Sequence, residues 1–240
     1  MLLQNVLTTR IILVLIVQLW PIAYSSYFAY KLLKRGRNRA TITLSSIFIS
    51  LALSFFLSSL SIFLIDTPFA YVFFIIGIYF FFFTHSLFVI ITWVLIKLDD
   101  KSPNWKFHLG IIFYGIISTY VFWIGFYNHG IRLDSSTDWV PEYSWFFLTI
   151  SWTFLFIFIL IPQIYLSFKL LKVFEGVILK RRINMFIVSA FLELIMVFAL
   201  FLYNAWIENT IYRAIYPFIF PPLATLAAFL MYNSFGKELE

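Results

Sequence analysis

The sequence predicts an all-α integral membrane protein of seven transmembrane helices, with the N-terminus outside and the C-terminus in the cytoplasm. Three observations predict it. Of 240 residues, 62% are hydrophobic and 12% charged, whereas soluble domains run near a quarter charged. Seven apolar stretches reach the roughly 20 residues that a helix needs to cross the hydrocarbon core. Lysine and arginine crowd alternate loops, as the positive-inside rule demands.

In order, the first span is expected over 11–33, with Pro21 inside it as a kink. The second is expected over 40–65 and the third over 69–96. Only Asp66-Thr67-Pro68 lies between them, a tight turn with Pro68 placed for the first turn of the next helix. The fourth span is expected over 107–127. A polar loop rich in turn formers then covers 128–142. The fifth span is expected over 143–171, the sixth over 183–206 and the seventh over 211–232. Pro217, Pro221 and Pro222 are expected to break the last one. No linker or low-complexity segment interrupts the chain, so residues 1–240 form one membrane domain. Residues 1–9 carry no cationic region of a cleavable signal peptide.

The cytoplasmic face is assigned to Lys31, Lys34, Arg35, Arg37 and Arg39, to Lys97, Lys101 and Lys106, to Lys169, Lys172, Lys180, Arg181 and Arg182, and to Lys237. The opposite side keeps Arg10, Arg132 and Arg213 beside Asp66, Asp134, Asp138, Glu142 and Glu208. This asymmetry accounts for the net charge of +6 without nucleic acid. Trp123, Trp139, Trp145 and Trp206 are expected in an outer aromatic belt, Trp93 and Trp105 in an inner one.

Polar residues inside the spans are the candidate functional groups. Ser46, Ser50, Ser54 and Ser58 recur every fourth residue, which on a helix is one stripe of small polar groups and reads as a packing seam. Glu193 is the one charge deep within a span. A carboxylate there is costly, faces the bundle interior and calls for a partner. Counting residues up from the inner ends of their spans puts His85 at similar depth, so a His85–Glu193 hydrogen bond is expected, direct or through water. Tyr120, Asn204 and Tyr216 are expected to line a pocket in the outer half. There are no cysteines, clustered carboxylates, metal-ligand spacings, glycine-rich phosphate loops or nucleophile motifs. The expectation is a protein without enzymatic activity, cofactor or metal.

The run Tyr30-Lys31-Leu32-Leu33-Lys34-Arg35-Gly36-Arg37-Asn38-Arg39 with Leu44-Ser45, the Trp139-Val140-Pro141 triplet, and the closing Tyr232-Asn233-Ser234-Phe235-Gly236-Lys237-Glu238-Leu239 resemble the seven-span sensory region of prokaryotic histidine kinases and its stand-alone archaeal relatives. The resemblance implies a sensor- or receptor-like protein of a prokaryotic plasma membrane. These 240 residues hold no output domain. It therefore implies signalling through a separate cytoplasmic or membrane partner, or a second copy, alongside membrane lipids.

A second resemblance leads elsewhere. Trp20-Pro21 before Lys31-Leu32-Leu33-Lys34 is echoed by Pro162-Gln163 before Lys169-Leu170-Leu171-Lys172. Such an echo is similar to the repeated halves of PQ-loop and SWEET-type transporters. It implies a small-solute transporter with Glu193, His85 and Gln163 at a midplane site. A structural protein binding lipid or another subunit is the third reading.

Overall fold

A computed structural model describes residues 2–36, 38–97, 104–127 and 130–235, with side chains from residue 18 onward apart from those of 104 and 235. Arg37, Lys101 and Lys237 lie outside this set. Long helices dominate: α1 (Leu2–Arg35), α2 (Arg39–Phe63), α3 (Pro68–Ile96), α4 (Asn104–Tyr127), α5 (Trp145–Val173), α6 (Val177–Ala205) and α7 (Thr210–Phe235). Among the described residues, α2 to α7 are six helices long and apolar enough to cross a membrane.

Local chemistry sets the helix ends. Asn38 caps α2 by accepting the Thr41 amide at 2.8 Å. Pro68 opens α3 in its first turn, and Asp66 makes the preceding turn at φ 71°. Ser144 caps α5 by accepting the Phe147 amide at 3.1 Å. The expected fifth loop is smaller than the sequence suggests. Only residues 174–176 separate α5 from α6, with Gly176 at φ 101°. Lys180, Arg181 and Arg182 therefore stand on the first turns of α6 rather than in a loop. α7 is also a correction: it runs unbroken through Pro217, Pro221 and Pro222.

α3 is the hub, with 72% of its most apolar window inside the protein. It packs on α2, α4 and α5, while α6 packs on α7, and α1 touches both α2 and α7. Side-chain hydrogen bonds tie the neighbours. Ser59 donates to Gln18 Oε1 at 2.7 Å between α2 and α1. Trp20 donates to Thr225 Oγ1 at 3.1 Å between α1 and α7. Thr92 and Gln163 share a buried hydrogen bond at 3.0 Å between α3 and α5. Tyr212 donates to the Ala199 carbonyl at 2.8 Å between α7 and α6. Such bonds hold helices together where lipid removes the hydrophobic drive for association.

Within α5 the six residues Leu155–Leu160 widen into a π-helical turn just before Pro162. Pro162 has no N–H to offer the Phe158 carbonyl four residues back. That carbonyl instead accepts the Tyr114 hydroxyl of α4 at 2.9 Å. Tyr114→Phe is expected to cost about 1 kcal/mol by leaving a carbonyl unsatisfied in the bundle. In a Pro162→Ala background, whose new N–H can serve the same carbonyl, the cost should fall to near zero. A double-mutant cycle on thermal unfolding reads the difference.

Within the polar loop expected over 128–142, a short hairpin forms from residue 131 onward. Ile131 pairs with Tyr143 and Arg132 with Glu142 in a two-stranded antiparallel ladder. Between them Asp134 caps the single turn Ser135–Thr137 by accepting the Ser136 amide at 2.8 Å, and Thr137 Oγ1 accepts the Asp134 amide in return. The Ser136 hydroxyl and amide hold the Asp134 carboxyl below its ordinary carboxylate range. Asp138 and Trp139 follow at φ 51° and 58°. Asp adopts this region readily; for Trp it is rare.

Two aromatic-rich cores fill the bundle. One, at the end holding the basic helix termini, gathers Phe28, Leu44, Phe48, Ile91, Phe186 and Met231. The other, toward the hairpin end, gathers Phe82, Val121, Phe147, Leu155 and Phe201.

Candidate functional site

Between α1, α2, α3, α6 and α7, on the hairpin side, the packing leaves a cavity of about 590 Å³. That volume falls within the range of small-molecule sites. Each helix contributes by its position along the bundle. The deepest lining residues are Tyr24 of α1, Leu51 of α2, Phe81 of α3, Glu193 of α6 and Thr225 of α7. Leu133, Trp139, Val140, Pro141 and Tyr143 line it from the hairpin. The positive-φ turn at Asp138 and Trp139 accompanies Trp139 into the cavity lining at the hairpin end. Below the floor, Phe28, Phe48, Phe88, Ala228 and Tyr232 close the bundle. The cavity is blind at that end.

Rings pave the walls. Tyr203 and Tyr216 lie 4.6 Å apart, and Tyr216 stacks on Phe220 at 4.8 Å. Phe81 stacks on Phe201 at 6.4 Å. The Arg213 guanidinium stands 5.1 Å over the Tyr203 ring, toward the mouth. Glu193 is 8% exposed and meets no hydrogen-bond donor or cation among the described residues. Tyr24 lines the floor with it. Asn204 is also 8% exposed; its amide donates to the Leu200 carbonyl at 3.1 Å, and its oxygen is left for the cavity.

The expected residues divide around this cavity. Asn204 and Tyr216 line it together. Tyr120 does not: it is 67% exposed on the outer surface of α4, a helix that contributes nothing to the lining. No direct hydrogen bond joins His85 to Glu193. His85 is buried, its Nδ1 lies 2.7 Å from the Phe81 carbonyl, and its Nε2 meets no partner. Its ring sits against Phe81 and Phe88, one turn below Phe81 on the same side of α3 and beneath the cavity floor rather than in its lining. Gln163 is engaged with Thr92 and is also absent from the lining.

The serine stripe is split by depth. Ser46 bonds back to the Ile42 carbonyl of its own helix at 2.8 Å, and Ser50 is buried. Ser54 donates to the Gly77 carbonyl of α3 at 2.7 Å, and Ser54 and Ser58 also line the cavity. At the opposite end, Lys31, Lys34, Arg35 and Arg39 stand at the α1–α2 junction, and Lys169, Lys172, Lys180, Arg181 and Arg182 at the α5–α6 junction. Arg35 lies 5.5 Å over the Tyr232 ring, joining that face to α7. Sequence reasoning missed Tyr24, Trp139, Arg213 and Thr225. The one signal for them was a polar or amphipathic residue in an apolar run.

Fold and cavity together define a multi-pass helical membrane protein with an internal polar-and-aromatic cavity. No protein-family model, curated protein or solved structure matches the chain.

Proposed function

We propose that this chain is a seven-span, receptor-like protein of a prokaryotic plasma membrane. It binds a small ligand from outside and passes the occupancy to a partner on its cytoplasmic basic face. The observation that carries the reading is the blind cavity with Glu193 at its floor, unpartnered among the described residues. Orientation rests on charge. The hairpin end carries Asp66, Asp134, Asp138, Glu142 and Glu208, and the other end the lysine and arginine clusters. α6 links the two ends: Glu193, Phe201 and Asn204 face the cavity, while Lys180, Arg181 and Arg182 occupy its first turns. Gly176, with open space around it and a positive φ, is a pivot on which α6 can tilt when the cavity fills. The likeness to histidine-kinase sensory regions supports the same division of labour.

The chain has no cysteine, so each introduced thiol is the sole target of a labelling reagent. Ala224 lines the cavity, and Ala228, one turn further along α7, lies in the closed core. In intact cells, a membrane-impermeant thiol reagent is expected to label Ala224→Cys and spare Ala228→Cys by at least tenfold. Lys180→Cys should label only after permeabilisation. Reversal of the Lys180 result overturns the orientation. Equal labelling at 224 and 228 means that a path opens through the bundle, which replaces reception with transport.

A further inference from the structure

We propose that the cavity takes a small organic cation, an amine or quaternary ammonium on an apolar body, with its charge seated at Glu193. This rests on the ligand-binding reading above and names the chemistry of the ligand. The Glu193 side chain is more than nine-tenths buried, lines the cavity and has no ion pair or hydrogen bond among the described residues. A carboxylate inside the bilayer without a counter-charge is expensive, and proteins place such groups beside a partner or a substrate path.

Among the described residues no such partner stands beside it. Among the described lining residues the one cation is Arg213, held over the Tyr203 ring. Tyr203 lies ten residues up α6 from Glu193, about 15 Å along a helix. His85, the other candidate, turns its ring toward Phe81 and Phe88.

The walls fit the same ligand. The faces and edges of Tyr24, Phe81, Phe201, Tyr216 and Phe220 surround the floor and the space above it. Aromatic faces stabilise a cation stripped of water and also accommodate an apolar body. An anionic ligand would meet Glu193 at the floor. A purely apolar ligand would leave that carboxyl, the Tyr24 hydroxyl and the Asn204 oxygen without partners. The cation places its charge at Glu193, which has no counter-charge among the described residues, and Arg213 at the mouth orients it by repelling the charged end inward.

The test uses purified full-length Ala224→Cys protein in lipid nanodiscs and an uncharged maleimide. Protection from labelling is titrated with benzyltrimethylammonium, with smaller tetraalkylammonium ions, and with neopentylbenzene, the uncharged isostere of the first. The cations should protect at concentrations at least tenfold lower than the isostere. Glu193→Gln should abolish that preference, and Glu193→Asp, which keeps the charge on a shorter arm, should retain part of it. Equal protection by cation and isostere, or a preference that survives Glu193→Gln, overturns the cationic ligand and leaves the binding cavity standing. Protection by none of the cations overturns it as well. Failure of Ala224→Cys to label at all removes the cavity, and with it the reading on which this inference rests.

Discussion

Phe201→Ala is expected to be among the most destabilising single truncations, costing about 3–5 kcal/mol. Phe201 is 1% exposed and meets four rings: Phe82 and Tyr143 at 5.2 Å, Phe147 at 5.9 Å and Phe81 at 6.4 Å. Through them α6 is held to α3, to the first turn of α5 and to the second strand of the hairpin. In a bilayer the gain does not come from leaving water, since lipid is as apolar as the core. It comes from close packing, and a void forfeits those contacts outright. Phe218 makes the comparison, being 82% exposed on α7. Phe218→Ala should change stability by no more than about 0.5 kcal/mol. Thermal unfolding of both variants in nanodiscs decides: a Phe201 loss no larger than the Phe218 loss would mean that the four-ring cluster does not hold the hairpin half together. Truncation also removes the support of Tyr143, so Ala224→Cys should label faster in the Phe201→Ala background as the hairpin loosens over the cavity.

What the sequence made legible follows from what lipid does to a hydrophobic pattern. Length, charge asymmetry and turn residues located most helix ends to within a few residues, because the bilayer sets the first two and Asn38, Pro68 and Ser144 fix ends locally. The exceptions are the starts of α1 and α6, nine and six residues earlier than expected. Rotation of each helix about its axis was not legible. In a soluble helix the apolar stripe marks the inside. Here the lipid-facing side is equally apolar, so Tyr120, pointing outward, reads the same as Tyr216, pointing inward. His85 and Glu193 show a second gap, in depth: His85 shares the face of Phe74, Ile78 and Phe81 but lies one turn below the floor that Glu193 lines, its ring against Phe81 and Phe88. The hairpin escaped for another reason. Its strands are two residues each, too short for alternation to register, and its order comes from Asp134 and Thr137 capping one another and from Tyr143 packing on Phe147 and Phe201. The three prolines of α7 misled because proline is a breaker in water, whereas between packed helices the chain continues through it.

Gly77→Val should be the largest loss at any α2–α3 contact, about 2–3 kcal/mol net, and its argument turns on opposing terms. A Cβ at Gly77 would stand 2.8 Å from Ser58 Oγ and 3.0 Å from the Ser54 carbonyl oxygen. The hydroxyl can rotate away; the carbonyl belongs to a helix backbone and cannot. The tight turn through Asp66 and Pro68 also prevents α2 and α3 from sliding apart. Separating the helices then breaks the 2.7 Å hydrogen bond from Ser54 to the Gly77 carbonyl, worth about 0.6 kcal/mol in a bilayer. Overpacking adds about 1–3 kcal/mol. Against this, replacing a helical glycine by alanine gains about 1 kcal/mol of backbone entropy, and valine somewhat less. Gly77→Ala should therefore be mildly destabilising and Gly77→Val strongly so. Gly110 on α4 isolates the entropy term, because nothing lies within 4 Å of a Cβ placed there. Gly110→Ala should raise stability where Gly77→Ala lowers it. Opposite signs at two helical glycines locate the close approach at the α2–α3 seam, where the serine stripe meets α3. If both alanines stabilise, the helices do not approach as closely as described, and the wall that Ser54, Ser58 and Ile78 give the cavity is misplaced with them.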